Sequence, residues 1–250
     1  MHGLFGAKHL ILIACSILLI VVLFILSKKL KHNQICKILF YIGIVSEIIK
    51  IFYYIIVNED THGGILPKSD LPFHLCSIQI IFIAIINIVN NEKIKRFIYS
   101  FMLPSCLFGG IAAILIATDS SRNGNFIITF QYFMYHIAIV VFALHLFTTK
   151  ELKFEIKDYF SCLKFLLFIM FVAIYINSIV YDGSESINFM YVASPPQKGL
   201  PYLNENNGWL VYICHYAFLI LVCVTGCYIK PIIVAIKEKI NSKKMVGINE

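Results

Sequence analysis

Residues 10–31 read LILIACSILLIVVLFILSKKLK. The first eighteen carry no charge, and three of the last four are lysine. Roughly 20 helical residues cross a hydrocarbon layer about 30 Å thick. The run therefore reads as a transmembrane helix that ends against a basic loop. It is long for a signal-peptide core, and no Ala-x-Ala-like site follows it, so it is expected to stay as the first helix.

Six further apolar runs follow at 35–57, 74–90, 97–117, 127–148, 160–181 and 209–229. The chain is 59% hydrophobic and 14% charged, against about half and a quarter in soluble domains. In lipid every backbone N–H and C=O must be satisfied internally, which favours helices over open strands. The expected fold is all-α: a polytopic membrane protein, one domain over 1–250, with seven transmembrane helices at 10–27 and the six runs above. The third run is the shortest and opens with polar residues after Pro72.

Loop charges set the expected orientation. Lys28, Lys29, Lys31 and Lys37 follow helix 1; Lys93, Lys95 and Arg96 follow helix 3; Lys150, Lys153 and Lys157 follow helix 5. The tail adds Lys230, Lys237, Lys239, Lys243 and Lys244. The other side holds only Lys8, Lys68, Arg122 and Lys198. The positive-inside rule then puts the N-terminus outside and the C-terminus inside. The net charge of +7 belongs to this topology and to anionic lipid rather than to nucleic acid. The expected setting is multi-pass in the cell (plasma) membrane, with membrane phospholipids as partners. The eight cysteines are scattered singly, without a CxxC pair, so neither a disulfide framework nor a cofactor is expected.

Ionisable groups inside spans are costly and usually face the bundle interior or a water-filled cavity. Glu47 and Lys50 share a face of helix 2 at i, i+3. His74 opens helix 3, with Gln79 about 7 Å deeper. Tyr132 and His136 share a face of helix 5, and His136 lies about 15 Å below its outer start. Helix 6 carries Asn177, and helix 7 carries His215 between Tyr212 and Tyr216. Glu47, Lys50, His74, Gln79, His136, Asn177 and His215 are expected around one cavity open to the outer leaflet. Pro104 and Gly109-Gly110 read as a kink and a close helix contact.

Several stretches resemble the YwaF-like membrane proteins and their animal relative, transmembrane protein 164. They are Leu71 to Ser77, Gly109-Gly110, Gln131 to His136, Asn188 to Tyr191 followed by Pro195-Pro196, and the Trp209 opening of helix 7. The resemblance implies an acyltransferase-like fold of seven helices that moves fatty acyl chains between phospholipids through a cysteine. That cysteine immediately precedes the helix 3 histidine, and the matching residue here is Phe73. Cys76 is an alternative nucleophile. On a regular helix it lies about 200° from His74, so it needs a non-helical start after Pro72 or His136 as its base.

The candidate catalytic residues are thus His74, His136 and Cys76. The candidate substrate-binding residues are Glu47, Lys50, Gln79, Tyr132, Asn177 and His215. A route without a covalent step uses His74 or His136 as general base on a lipid hydroxyl. Three other readings stay open. A metal-dependent lipid hydrolase would gather His74, His136 and His215 with Asp119 or Glu47, although no HExxH spacing supports a metal. A proton-coupled transporter or receptor would use the Glu47–Lys50 pair and the histidines. The last is a non-catalytic membrane partner.

Overall fold

The computed structural model describes residues 4–246, apart from 58–64, 119–120, 123, 150–151, 184–186, 198–199, 201, 204–205 and 207. Parts of the two long loops, near 58–73 and 182–208, and Asp119, lie outside the described residues. The described residues form eight α-helices: α1 (Ala7–Ser27), α2 (His32–Phe52), α3 (Ile78–Ile88), α4 (Glu92–Leu115), α5 (Phe126–Thr148), α6 (Ile156–Val180), α7 (Trp209–Cys227) and α8 (Ile229–Val246). None of them is in a strand.

Five helices, α1 and α4 to α7, are long and apolar enough to cross a membrane. Their outward faces carry side chains such as Leu18, Phe168 and Leu210, each more than half exposed. Water would leave that surface unfavourably hydrated, whereas lipid chains suit it. The second helix has 21 residues but contains Lys37, Glu47 and Lys50. It continues as a π-turn over Tyr53–Val57.

The third element departs most from the expected 74–90 span. It is helical only over Ile78–Ile88, 11 residues, or about 16 Å. Pro72 accounts for its late start, because the residue before a proline is pushed out of the helical region, and Leu71 is extended at φ −59°, ψ 148°. Short-range bonds take over across 71–77: Phe73 N–H to Leu71 C=O at 2.7 Å and Gln79 N–H to Cys76 C=O at 3.2 Å. At the far end Val89 is extended, and Asn91 starts the next helix by accepting from the N–H groups of Lys93 and Ile94. The Asn cap satisfies donors that a helix start leaves open.

Centrally placed α4 packs against α5, α6 and α7, while α5 also packs against α1 and α2. Gly110 sets the α4–α5 approach. A Cβ there would lie 2.6 Å from Val140 Cγ2 and 3.2 Å from the His136 carbonyl. At the basic end Arg96 forms a fork onto Asp158, Nε to Oδ1 at 2.9 Å and NH2 to Oδ2 at 2.7 Å, and also reaches Glu155 at 3.0 Å. Lys157 at 2.8 Å and Arg96 hold the Glu155 carboxyl below its usual range.

Candidate functional site

Three helices position the 68–77 segment. From α2, the Lys50 ammonium lies 3.0 and 2.9 Å from the two Glu47 oxygens and donates to the Asp70 carbonyl at 2.9 Å. Tyr54, in the π-turn, bonds the Asp70 carboxylate. From α5, the Tyr135 hydroxyl donates to the Cys76 carbonyl at 2.7 Å. From α4, Gly109 leaves room for the segment: a Cβ there would sit 3.4 Å from Leu75 and 3.9 Å from Cys76 Sγ. The turn backbone thus obtains from side chains the partners it would otherwise find in a helix.

His136 is buried on the same helix as Tyr135. Its Nδ1 stands 2.7 Å from the Tyr132 carbonyl. A carbonyl only accepts, so Nδ1 carries the proton and Nε2 is the basic nitrogen. The Tyr132 ring lies 4.2 Å from the imidazole, centroid to centroid, and its hydroxyl donates to Ala113 C=O at 3.0 Å. His74 and His136 are within electrostatic reach of one another, and Lys50 is within reach of His74. Cys76 is likewise within reach of Tyr132, Tyr135, Tyr191 and Tyr216.

A strap from the second long loop closes over this cluster. Phe189 is fully buried and Met190 and Val192 nearly so. Asn177 holds the strap from α6, accepting from Phe189 N–H at 2.8 Å and donating to Phe189 C=O at 3.2 Å. Tyr216 donates to Met190 C=O at 2.8 Å and Trp209 to Val192 C=O at 3.0 Å, both from α7. Met190 and Tyr191 sit at φ 56° and 53°, a left-handed region that side chains seldom occupy. That turn sets the rings of Phe189 and Tyr191 5.2 and 5.6 Å from His74.

The sequence-derived candidates therefore separate. Glu47, Lys50, His74, Cys76, Tyr132 and His136 gather around the 68–77 segment. Gln79, almost fully buried, lies at its inner edge and donates to Leu75 C=O at 2.9 Å and Ser105 Oγ at 3.1 Å. Asn177 acts through the strap. His215 stands apart, stacked on Tyr202 at 4.7 Å with Nδ1 3.2 Å from the Tyr202 carbonyl. Among the described residues no three His, Cys, Asp or Glu side chains converge as a metal site would require. The sequence reading did not single out Tyr135 or Tyr191 as site residues, although both lie in the stretches Gln131 to His136 and Asn188 to Tyr191 that carry the family resemblance, and it did not foresee the strap contacts.

An apolar groove of about 260 Å³ opens between α2 and α5, lined by Tyr41, Val45, Phe130, Met134 and Tyr135, with Ser46 and Gln131 bonded across it. Tyr135 is shared between the groove and the Cys76 carbonyl bond.

Apolar spans around a buried polar centre define a multi-pass helical membrane protein. The chain belongs to the TMEM164 family, whose family model matches residues 4–228. The searches of curated proteins and of solved structures give no match.

Proposed function

We propose that this protein is a lipid-modifying enzyme that transfers acyl chains between phospholipids near the outer leaflet of the cell membrane. The observation that carries this reading is the grouping of the partly buried His74 and Cys76 with the buried His136 among apolar helices, beside a groove suited to a lipid chain. Family membership supports the same reading.

In the proposed reaction His136 Nε2 takes the proton from a lysophospholipid hydroxyl. The hydroxyl oxygen attacks the ester carbonyl of a donor phospholipid, and His74 stabilises the resulting oxyanion. Collapse breaks the old ester C–O bond, and the departing alkoxide takes the proton back from His136. Lys50 is already committed to Glu47 and Asp70, so its role here is to hold the segment. In the alternative covalent route His136 takes the Cys76 proton, the sulfur attacks the donor ester carbonyl, the departing alkoxide takes that proton, and the resulting thioester passes its acyl group to the acceptor hydroxyl while the thiol is restored. Cys76 lies on a turn, so the 200° separation of a regular helix does not apply to it.

Seven membrane-crossing segments are proposed, with the N-terminus outside and the C-terminus inside. Pairing of Glu47 with Lys50 makes α2 compatible with hydrocarbon. The 71–77 turn extends the short α3 as irregular backbone partly buried in protein, the condition under which lipid tolerates it. The metal-hydrolase reading loses its geometric support with His215 on Tyr202.

Purified protein given an isotope-labelled diacyl phospholipid and an unlabelled lysophospholipid tests the function. Label should reach the acceptor, as read by intact-lipid mass spectrometry, and His136→Ala should abolish the transfer without unfolding the protein. Full transfer in that variant overturns the assignment.

A further inference from the structure

The family match stops at Tyr228, and α8 begins at the next residue. Tyr228 is fully buried and leaves the helical region at φ −102°, ψ 14°, which divides α7 from α8. Beyond this break α8 packs against α6 and α7. Its inward side is formed by Ile232, which packs on the main core, and the partly buried Ala235.

A second apolar stripe runs along α8, turned away from the bundle. Ile229, Ile233, Ile236 and Ile240 are 46, 44, 53 and 49% exposed in turn along one side of the helix. At about 100° per residue they fall within a band of roughly 60°. Lys230 and Lys237 flank one side of that band, Lys239 flanks the other, and Glu238 lies opposite it. All four of these charged residues are exposed. Lys230 also sits over the Phe147 ring at the end of α5, 5.6 Å from its centroid. An apolar stripe between rows of lysines matches a lipid interface: the isoleucines enter the acyl boundary while lysine stems reach up to headgroup phosphates. In water the same stripe would be unfavourably hydrated. Lys93, Lys95, Arg96, Lys153 and Lys157 occupy the same end of the bundle, and with the α8 lysines they outnumber Glu92, Glu155, Asp158 and Glu238 there, so the net charge is positive and complements anionic headgroups.

We propose that α8 is an interfacial anchor that lies on the membrane surface at the basic end of the bundle and binds anionic phospholipid. The anchor stands whether or not the protein transfers acyl chains. The test uses the full chain in nanodiscs containing brominated phosphatidylcholine or brominated phosphatidylglycerol. Tryptophan is placed at the stripe by Ile236→Trp or opposite it by Glu238→Trp, and the parent's Trp209 signal is subtracted. Ile236→Trp should be quenched and Glu238→Trp should not. Quenching at 236 should favour the phosphatidylglycerol label. Changing Lys230, Lys237 and Lys239 to Gln should weaken that preference by about fivefold for each lysine lost, while quenching by phosphatidylcholine persists. Equal quenching at both positions, none at 236, or no headgroup preference overturns the proposal. Ile233→Trp, on the same stripe, must repeat the result of Ile236→Trp.

Discussion

The Tyr135 hydroxyl donates to the Cys76 carbonyl across 2.7 Å, joining α5 to the turn that carries His74 and Cys76. Both partners lie in apolar surroundings, where a buried carbonyl left without its donor costs about 1–3 kcal/mol. Tyr135→Phe keeps the ring and removes only the bond. Its unfolding free energy should fall by about that amount, read as a lower thermal transition, and acyl transfer should fall well beyond what unfolding explains. Parent-like behaviour in both measurements would show that the bond does not position the segment.

The two adjacent glycines should respond differently. Gly109→Ala puts its methyl 3.4 Å from a flexible Leu75 side chain, an ordinary contact, and should be tolerated. Gly110→Ala drives a methyl to 2.6 Å from Val140 and 3.2 Å from the His136 carbonyl. Overpacking of this kind costs about 1–3 kcal/mol, and it should also displace the backbone that holds His136. Detergent-solubilised yield and thermal stability of the two variants check the contrast; equal values would refute it.

Much of this architecture can be read in the sequence because lipid imposes a simple rule on long apolar runs. The observed boundaries of α1, α4, α5 and α6 lie within a few residues of the apolar runs, and the start of α7 coincides with Trp209. The third run could not be read that way. Its first residues are shaped by bonds from Lys50 and Tyr135, which are 20 and 59 residues away from their partners, and apolar content carries no trace of such contacts. His74 and His136 were legible as costly groups within spans. His215 was equally costly by that measure, yet it lies about 100° from Tyr216 around the helix, and only packing shows that Tyr216 faces the strap while His215 meets Tyr202. The strap itself depends on consecutive left-handed residues at Met190 and Tyr191, neither of them glycine.

Asn177 satisfies both backbone groups of a fully buried residue, Phe189. Asn177→Ala should release the strap, since two stranded groups at about 1–3 kcal/mol each outweigh what the turn can recover. Limited proteolysis should then cut within 187–197 faster than in the parent. An unchanged cleavage rate would mean that Tyr216 and Trp209 suffice to hold it.

The Glu47–Lys50 pair makes a sharper test because its members depend on each other. Lys50 is nearly buried, and Glu47 is about one-quarter exposed at its side chain. Glu47→Gln leaves an ammonium with its Asp70 contact but no countercharge, and Lys50→Met leaves a carboxylate facing apolar helices. Removing one partner of a buried pair costs about 3–5 kcal/mol, whereas replacing both is often near neutral; partial exposure of Glu47 places these variants at the low end. The double variant should therefore be more stable than Lys50→Met alone, though still short of the parent because the Asp70 carbonyl has lost its donor. Thermal unfolding of the three proteins in one detergent decides it. Additive losses would show that the two charges act independently and that Lys50 matters only as the anchor of the turn.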